Sequence, residues 1–214
     1  QMTYDAVIVG AGVMGCATAY WLARAGSRVL ILDMNKPGHG NASSSDESRA
    51  IRHQYRGRDF YTEMVAESVG LWKDFESEVG HGFYQETGLL MLQTKPGHPP
   101  LLRGYEGLER LGYRPQWLDA TDIKRRYPQF DGIDSGVFAE GPDGFIRARE
   151  AVVALAERAV ALGAEIQTGV QVVELAISGD QVSSVRAVDG RTFEGDAYVI
   201  AAGPWTERLL PNLQ

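Results

Sequence analysis

Two groups of residues in this sequence could carry chemistry. The first is Gly10, Gly12 and Gly15, spaced G-x-G-x-x-G, with Asp33 eighteen residues after Gly15. Each glycine has a separate expected task. Gly10 lets the chain turn sharply out of a strand, Gly12 lets a pyrophosphate approach the backbone, and Gly15 lets a helix pack close to a sheet. Ala11, Val13 and Met14 complete the expected phosphate-binding set. A helix opening inside the motif offers free N–H groups and the positive end of its dipole to an anion. The second group is Arg49, Arg52 and His53. On a helix they would share one face, at i, i+3 and i+4. Two guanidiniums on one side suit a carboxylate or a phosphate. A solvated basic face paired with Asp46 and Glu47 fits the spacing equally well. A lone histidine such as His53 is more often structural than catalytic.

The elements that must position these residues are legible around them. Ala6-Val-Ile-Val9 reads as a buried strand and Ala17–Ala23 as a helix stopped by Gly26. Arg28–Leu32 is a second buried strand, and Asp33 stands at its end. That is where a dinucleotide fold places the acid for a ribose 2′-hydroxyl, which favours FAD or NAD over NADP. The loop Lys36–Ser45 is rich in Gly, Asn and Ser. Its hydroxyls at Ser43, Ser44 and Ser45 suit a loop wrapping a large ligand, and a mobile surface loop is the plain alternative.

Farther along, Asp59–Glu78 predicts an amphipathic helix with Phe60, Met64, Val65, Val69, Trp72 and Phe75 inward. Phe83–Glu86 and Leu89–Leu92 predict a β-hairpin turning at Thr87-Gly88. Pro96, Pro99 and Pro100 predict a linker, followed by a helix from about Leu101 to near Gly112. Asp119 can cap a short helix that stops before Pro128. Gly136–Glu140 is a strand candidate before the turn Gly141-Pro-Asp-Gly144. A helix over Arg147–Leu162, capped by Gly163, and a strand from Ala164 resume βα alternation. Gly169–Glu194 reads as a β-meander, and the segment from Tyr198 as a buried strand entering the Gly203 turn. The expected fold is α/β: a Rossmann-like domain of parallel sheet plus β-meander over 1–82 and 145–214. An inserted α+β domain, the first part of a substrate domain, fills 83–144.

Composition narrows the function classes. The chain has 214 residues, 44% hydrophobic and 23% charged, ordinary for a globular protein. A formal charge of −7 argues against a nucleic-acid partner. Cys16 stands alone, so no intrachain disulfide forms, and a reducing, cytoplasmic setting fits. No apolar run approaches a membrane span. The first strand begins almost at once, leaving no room for a signal peptide, and Gln1 ahead of Met2 is set aside. No metal site is expected.

These motifs together resemble the D-amino-acid oxidase-like flavoproteins, in particular the sarcosine oxidase and glycine oxidase branch. The resemblance rests on Val9–Gly15, Asp33, Ser48-Arg-Ala-Ile-Arg-His53, the strand at Val172 after Gly163-Ala164, and Val199-Ile-Ala-Ala-Gly-Pro-Trp205. It implies FAD as cofactor and oxidation of the C–N bond of an amino acid or N-methyl amine to an imine. It implies that Asp33 holds the adenosine ribose and that backbone at Val172 meets the adenine end. It places Ala201, Ala202 and Gly203, with Trp205, against the cofactor. Arg49 and Arg52 would lie by the flavin ring, with Arg52 the substrate-carboxylate ligand. Sarcosine oxidases carry a Gly-Ser-His-His-Gly-Asp-Thr-Arg type run before the arginines. Gly40-Asn-Ala-Ser-Ser-Ser-Asp-Glu-Ser-Arg49 departs from it, which suggests a related amine or imino acid. Family members continue for a comparable length past the position of Gln214, so a C-terminal half or a partner chain is expected to complete the enzyme. Two rival readings remain. One is an NAD-dependent dehydrogenase, against which the Ser-rich loop and the Ala-Ala-Gly-Pro-Trp turn argue. The other is a non-catalytic flavin-binding subunit.

Overall fold

A computed structural model describes residues 3–97 and 99–210. The chain divides into two compact units, Gln1–Glu47 with Arg147–Gln214, and Ser48–Ile146. The first unit opens with strand β1 (Tyr4–Val9), helix α1 (Val13–Arg24) and strand β2 (Val29–Asp33). Helix α1 starts with the Cys16 amide donating to the Gly12 carbonyl at 2.9 Å. It ends in a Schellman motif: Gly26 N–H donates to Ala23 O and Ser27 N–H to Leu22 O. Gly26 takes φ +90°, which a side chain would resist.

The second unit holds β3 (Arg49–Ile51), α2 (Asp59–Val79), β4 (Tyr84–Glu86), β5 (Leu89–Gln93), α3 (Pro99–Arg110), β6 (Gln116–Asp119), α4 (Ala120–Arg126), β7 (Ser135–Ala139) and β8 (Gly144–Ile146). Four expectations change here. The expected hairpin does not form. β4 pairs with β8, while β5 pairs with β7, so consecutive strands enter different antiparallel sheets, β3-β8-β4 and β5-β7-β6. The predicted turn serves as a crossover instead: the Thr87 and Gly88 amides both donate to the Asp143 carbonyl.

Pro99 and Pro100 open helix α3 rather than forming a linker, because a first-turn residue needs no amide donor. Helix α2 has its expected length, but its buried residues are Thr62, Val69 and Phe75, whereas Phe60 is 67% and Met64 48% exposed. Finally, β3 and α2 belong to the second unit, because β3 pairs with β8. The unit boundary therefore falls at Ser48, not near Phe83. The Asp119 cap is present, with its carboxylate accepting from the Asp122 amide at 2.8 Å.

The first unit then resumes with α5 (Ala148–Ala161), β9 (Glu165–Thr168), β10 (Val172–Ser178), β11 (Gln181–Ala187), β12 (Thr192–Phe193), β13 (Gly195–Ile200) and α6 (Thr206–Leu209). Its sheet runs β13-β1-β2-β9, all parallel. Strands β1 and β2 are the interior pair and read as continuous apolar runs because both faces are covered. On one face Val185 and Ala187 of the β10-β11-β12 meander, with Val170 just before it, pack against Val7, Val9, Leu30 and Leu32. Ile8 and Ile31, on the opposite face by strand alternation, are also fully buried. Among the described residues no helix is long and apolar enough to cross a membrane.

Candidate functional site

The glycine motif builds a cradle from backbone. Gly10 leaves β1 at φ +112°, and its amide donates to Leu32 O at 2.8 Å. A Cβ on Gly10 would stand 2.4 Å from the Ala201 carbonyl oxygen, and one on Gly15 only 1.8 Å from the Gly10 carbonyl oxygen. Both positions exclude any side chain by packing within the protein itself. Gly12 is different: a Cβ there would meet nothing within 4 Å. The fold does not need that glycine, so the open space at the head of α1 is free for a ligand. Together with the first-turn amides of α1, which have no partner within the helix, this space suits an anion.

Asp33, half-buried at the end of β2, closes the cradle. Its carboxylate accepts from the Ala11 amide and the Asn35 amide, each at 2.7 Å. An ionised carboxylate has about four acceptor positions, so capacity remains for ribose hydroxyls. The cradle therefore fits a dinucleotide with an unphosphorylated ribose. His39 is a neighbour that sequence reasoning missed. Its Nδ1 accepts from the Asn41 amide, and its Nε2 lies 3.9 Å from Asp33 Oδ1. That is an electrostatic contact rather than a hydrogen bond. Its only sequence signal was a histidine in a loop of small residues.

The other expected cofactor segments converge in part. The Ser-rich loop is anchored to α5, with Arg149 donating to the Ser45 carbonyl and Gly38 packed on Val153. Ser43 Oγ stands 4.0 Å from where a Gly203 Cβ would be, so this loop and the Ala201–Gly203 turn are adjacent. Ser44 and Ser45 are half-buried, Met14 is exposed at the first turn of α1, and Val13 is half-buried. Trp205, in a 3-10 turn over Gly203–Trp205, is exposed. Val172 starts β10 and packs into the meander core, where its backbone pairs with Ala187. Cys16 is a packing thiol. Burial, with Asp33 adding to it, pushes its pKa up to about 12, which leaves no reactive thiolate at neutral pH.

The second group has a different geometry from the one expected. Arg49 lies on strand β3, not on a helix, and Arg52 follows the strand's end. Strand pairing of Arg49, Ala50 and Ile51 with Ile146, Phe145 and Gly144 overrides the helical spacing. The three residues therefore share no helical face. The Arg52 guanidinium carbon lies 5.1 Å from the centre of the Tyr55 ring, a cation–π contact. His53 is 1% exposed and faces Asp143, itself 2% exposed. The His53 amide donates to Asp143 Oδ1 at 2.5 Å, and His53 Nδ1 lies 3.2 Å from the same oxygen. Thr62 Oγ1 donates to His53 O at 2.7 Å, and the Tyr113 ring lies 5.4 Å away. Burial and the Asp143 charge raise the Tyr113 pKa. Sequence reasoning read Asp143 only as a turn residue, because its partner lies 90 positions earlier.

Comparison with known proteins gives the chain's family. A family model described as "DAO: FAD dependent oxidoreductase" matches residues 5–214. The chain is 35% identical over 212 residues to peroxisomal sarcosine oxidase of Mus musculus, covering 98% of this chain and 53% of that protein. It is 29% identical over 212 residues to monomeric sarcosine oxidase of Bacillus sp. (strain B-0618), covering 98% and 54%. The solved open form of NikD, an unusual amino acid oxidase essential for nikkomycin biosynthesis, superposes with a TM-score of 0.82 at 32% identity, covering 100% of this chain and 55% of that one. The chain spans about half the length of the curated relatives it matches. With the family model matching nearly its whole length, the chain belongs to the DAO family of FAD-dependent oxidoreductases.

Proposed function

We propose that this chain is the N-terminal half of an enzyme that oxidises the C–N bond of an amino acid, or of an N-methyl or other secondary amino acid, to an imine. The observation that carries the reading is the cradle. Two of its glycines are required by packing, and at the third a Cβ would meet nothing within 4 Å among the described residues. Bound FAD would supply the two-electron acceptor for the carbon–nitrogen bond. Gly12 and the α1 amides receive the pyrophosphate, and Asp33 accepts from ribose hydroxyls. The Ser43–Ser45 loop and the Ala201–Gly203 turn favour a ligand larger than NAD. Val172 backbone and Trp205 complete the cofactor set.

The unit Gln1–Glu47 with Arg147–Gln214 is the FAD-binding domain, and Ser48–Ile146 the first part of the substrate domain. Arg52 takes the substrate carboxylate through a bidentate guanidinium, and Arg49 supplies a second positive charge. His53 serves by holding structure. The partners are a small amine or amino-acid substrate and the rest of the protein, as a C-terminal half or a second chain. Cytoplasmic placement stays part of the reading, although two of the relatives are named peroxisomal.

The experiment is to denature the full-length protein and identify the nucleotide released, then to repeat it with Gly12→Val. FAD from the wild type and apo protein from the variant are expected. Release of NAD, or of no nucleotide, from the wild type would refute the assignment. Imine formation from N-methyl amino acids, measured beside their decarboxylated analogues, then tests the substrate class.

A further inference from the structure

We propose that Asp143 is a positioning residue for Arg52, and that it works through His53. The hydrogen bond that matters goes to a peptide. The His53 amide belongs to the peptide group that follows Arg52, and Asp143 Oδ1 accepts from it at 2.5 Å. The same oxygen lies 3.2 Å from His53 Nδ1. A carboxylate oxygen can only accept here, so Nδ1 carries the proton in this pair. One oxygen thus holds both the backbone and the ring of the residue after Arg52. Thr62 Oγ1 holds the far side of the same residue by donating to His53 O.

Asp143 is itself fixed. It sits one residue before β8, between the strands that lead out to His53 and to Thr87. Its carbonyl accepts from the Thr87 amide at 3.0 Å and the Gly88 amide at 2.8 Å. The next residue, Gly144, pairs with both Ile51 and Glu86. A Cβ on Gly144 would stand 1.9 Å from the Gln85 carbonyl oxygen, so β8 is pressed directly against its neighbour. At this end of the β3-β8-β4 sheet a single residue ties both flanking strands together.

Burying a carboxylate at 2% exposure is costly unless its acceptors are used. A neutral residue would close the β7–β8 turn as well. The charge is explained by what it grips: the segment that carries Arg52. A guanidinium orients a carboxylate only as well as its own backbone is fixed. His53 Nε2 is buried and has no hydrogen-bond partner among the described residues. Among the described residues the imidazole is therefore hydrogen-bonded through Nδ1 and not Nε2, which suits a strut rather than a proton carrier.

The proposal rests on the reading of Arg52 as the substrate-carboxylate ligand, and the experiment separates the two. In the full-length holoenzyme, Asp143→Asn keeps the side-chain shape while removing the charge. FAD content stays at the wild-type level. KM for a carboxylate substrate rises on the order of 10-fold, and kcat changes less than about 2-fold. The ratio of kcat/KM for the carboxylate substrate to that for its decarboxylated analogue falls by the same order. Equal losses on both substrates, or no loss on either, would overturn the positioning role. Arg52→Ala is measured in parallel. If it fails to discriminate the two substrates, the Arg52 reading falls. The Asp143–His53 pair is then judged by a measurement that needs no substrate. Nitrogen-15 NMR of histidine-labelled wild-type holoenzyme, at about pH 8 and above the ordinary imidazole range, should show His53 protonated at Nδ1 and bare at Nε2. Its signals are those missing from His53→Gln. A proton on Nε2 with a bare Nδ1 would overturn the proposed pairing whatever Arg52 does.

Discussion

The two candidate regions, the glycine cradle and the segment around Arg52, are built from different material. The nucleotide cradle is backbone: Gly10 amide to Leu32 O, Ala201 amide to Val9 O, Cys16 amide to Gly12 O. Asp33 contributes a side chain, and it too bonds to backbone amides. The segment after β3 that carries Arg52 is side-chain work, held by Asp143, Thr62 and the ring of Tyr55. A backbone site constrains the sequence at a few positions and absolutely, because a Cβ either fits or collides. A side-chain site spreads the requirement over residues far apart in the chain and tolerates graded change. Substitutions in the cradle should therefore behave as switches, and those around Arg52 as dials.

The sharpest test of the switch compares Gly15 with Gly12. Gly15→Ala places a methyl carbon 1.8 Å from a backbone oxygen, so α1 must move off β1. We expect a loss of about 3 kcal/mol or more in unfolding free energy, the overpacking case at its severe end. Gly12→Ala meets nothing within 4 Å, so the free protein should unfold within about 0.5 kcal/mol of wild type while its FAD content drops. Chemical denaturation with flavin absorbance reads both. Similar destabilisation by the two variants would erase the distinction between a glycine needed by the fold and one kept for a ligand.

The corresponding test in the second region is Arg52→Ala. A charge-assisted bidentate pair is worth about 2–4 kcal/mol, or on the order of 30- to 1000-fold in kcat/KM for a carboxylate substrate. FAD content should not change. Arg52→Lys should recover part of the activity, because an ammonium supplies charge without the planar fork. A decarboxylated amine should lose far less than the carboxylate substrate. If both lose equally, Arg52 supports the fold and not the substrate.

This contrast also explains what was legible in the sequence. The cradle was readable because its contacts are local or follow from βα alternation. Gly10, Gly12, Gly15 and Asp33 all sit within one βαβ unit. Helix ends were readable for the same reason. Gly26, Gly112 and Gly163 all take positive φ and close Schellman motifs. The parallel sheet followed from the apolar strands β1 and β2 and from the return of βα alternation at α5 and β9. The second unit was misread wherever pairing is non-local. β4 and β5 look like a hairpin until β7 and β8, some fifty residues on, each claim one of them. Arg49–Ile51 looks helical until β8 pairs with it. The Phe60 and Met64 positions of α2 fit an apolar stripe, but burial follows the neighbours actually present, and these select Thr62, Val69 and Phe75. Asp143 carried no local signal, since turn chemistry already accounted for it.

The smallest effect we expect comes from Tyr55, and it tests whether the second region behaves as a dial. The Arg52 guanidinium lies over the Tyr55 ring at 5.1 Å, and Tyr55 in turn packs on Tyr61 with centroids 5.4 Å apart. A cation–π contact at an exposed site is worth about 0.5–1 kcal/mol. Part of that holds the guanidinium where the stem alone would let it swing. Tyr55→Leu removes the ring face and should lower kcat/KM for a carboxylate substrate by roughly 2- to 5-fold, the same energy converted at 1.36 kcal/mol per tenfold. Tyr55→Phe keeps the ring and its packing on Tyr61, so it should stay close to wild type. In an Arg52→Ala background Tyr55→Leu should cost nothing more, because the partner of the ring is already gone. A double-mutant cycle on kcat/KM measures this directly. Additive losses would mean that Tyr55 acts on the fold or the substrate independently, and that Arg52 is steered by its backbone alone.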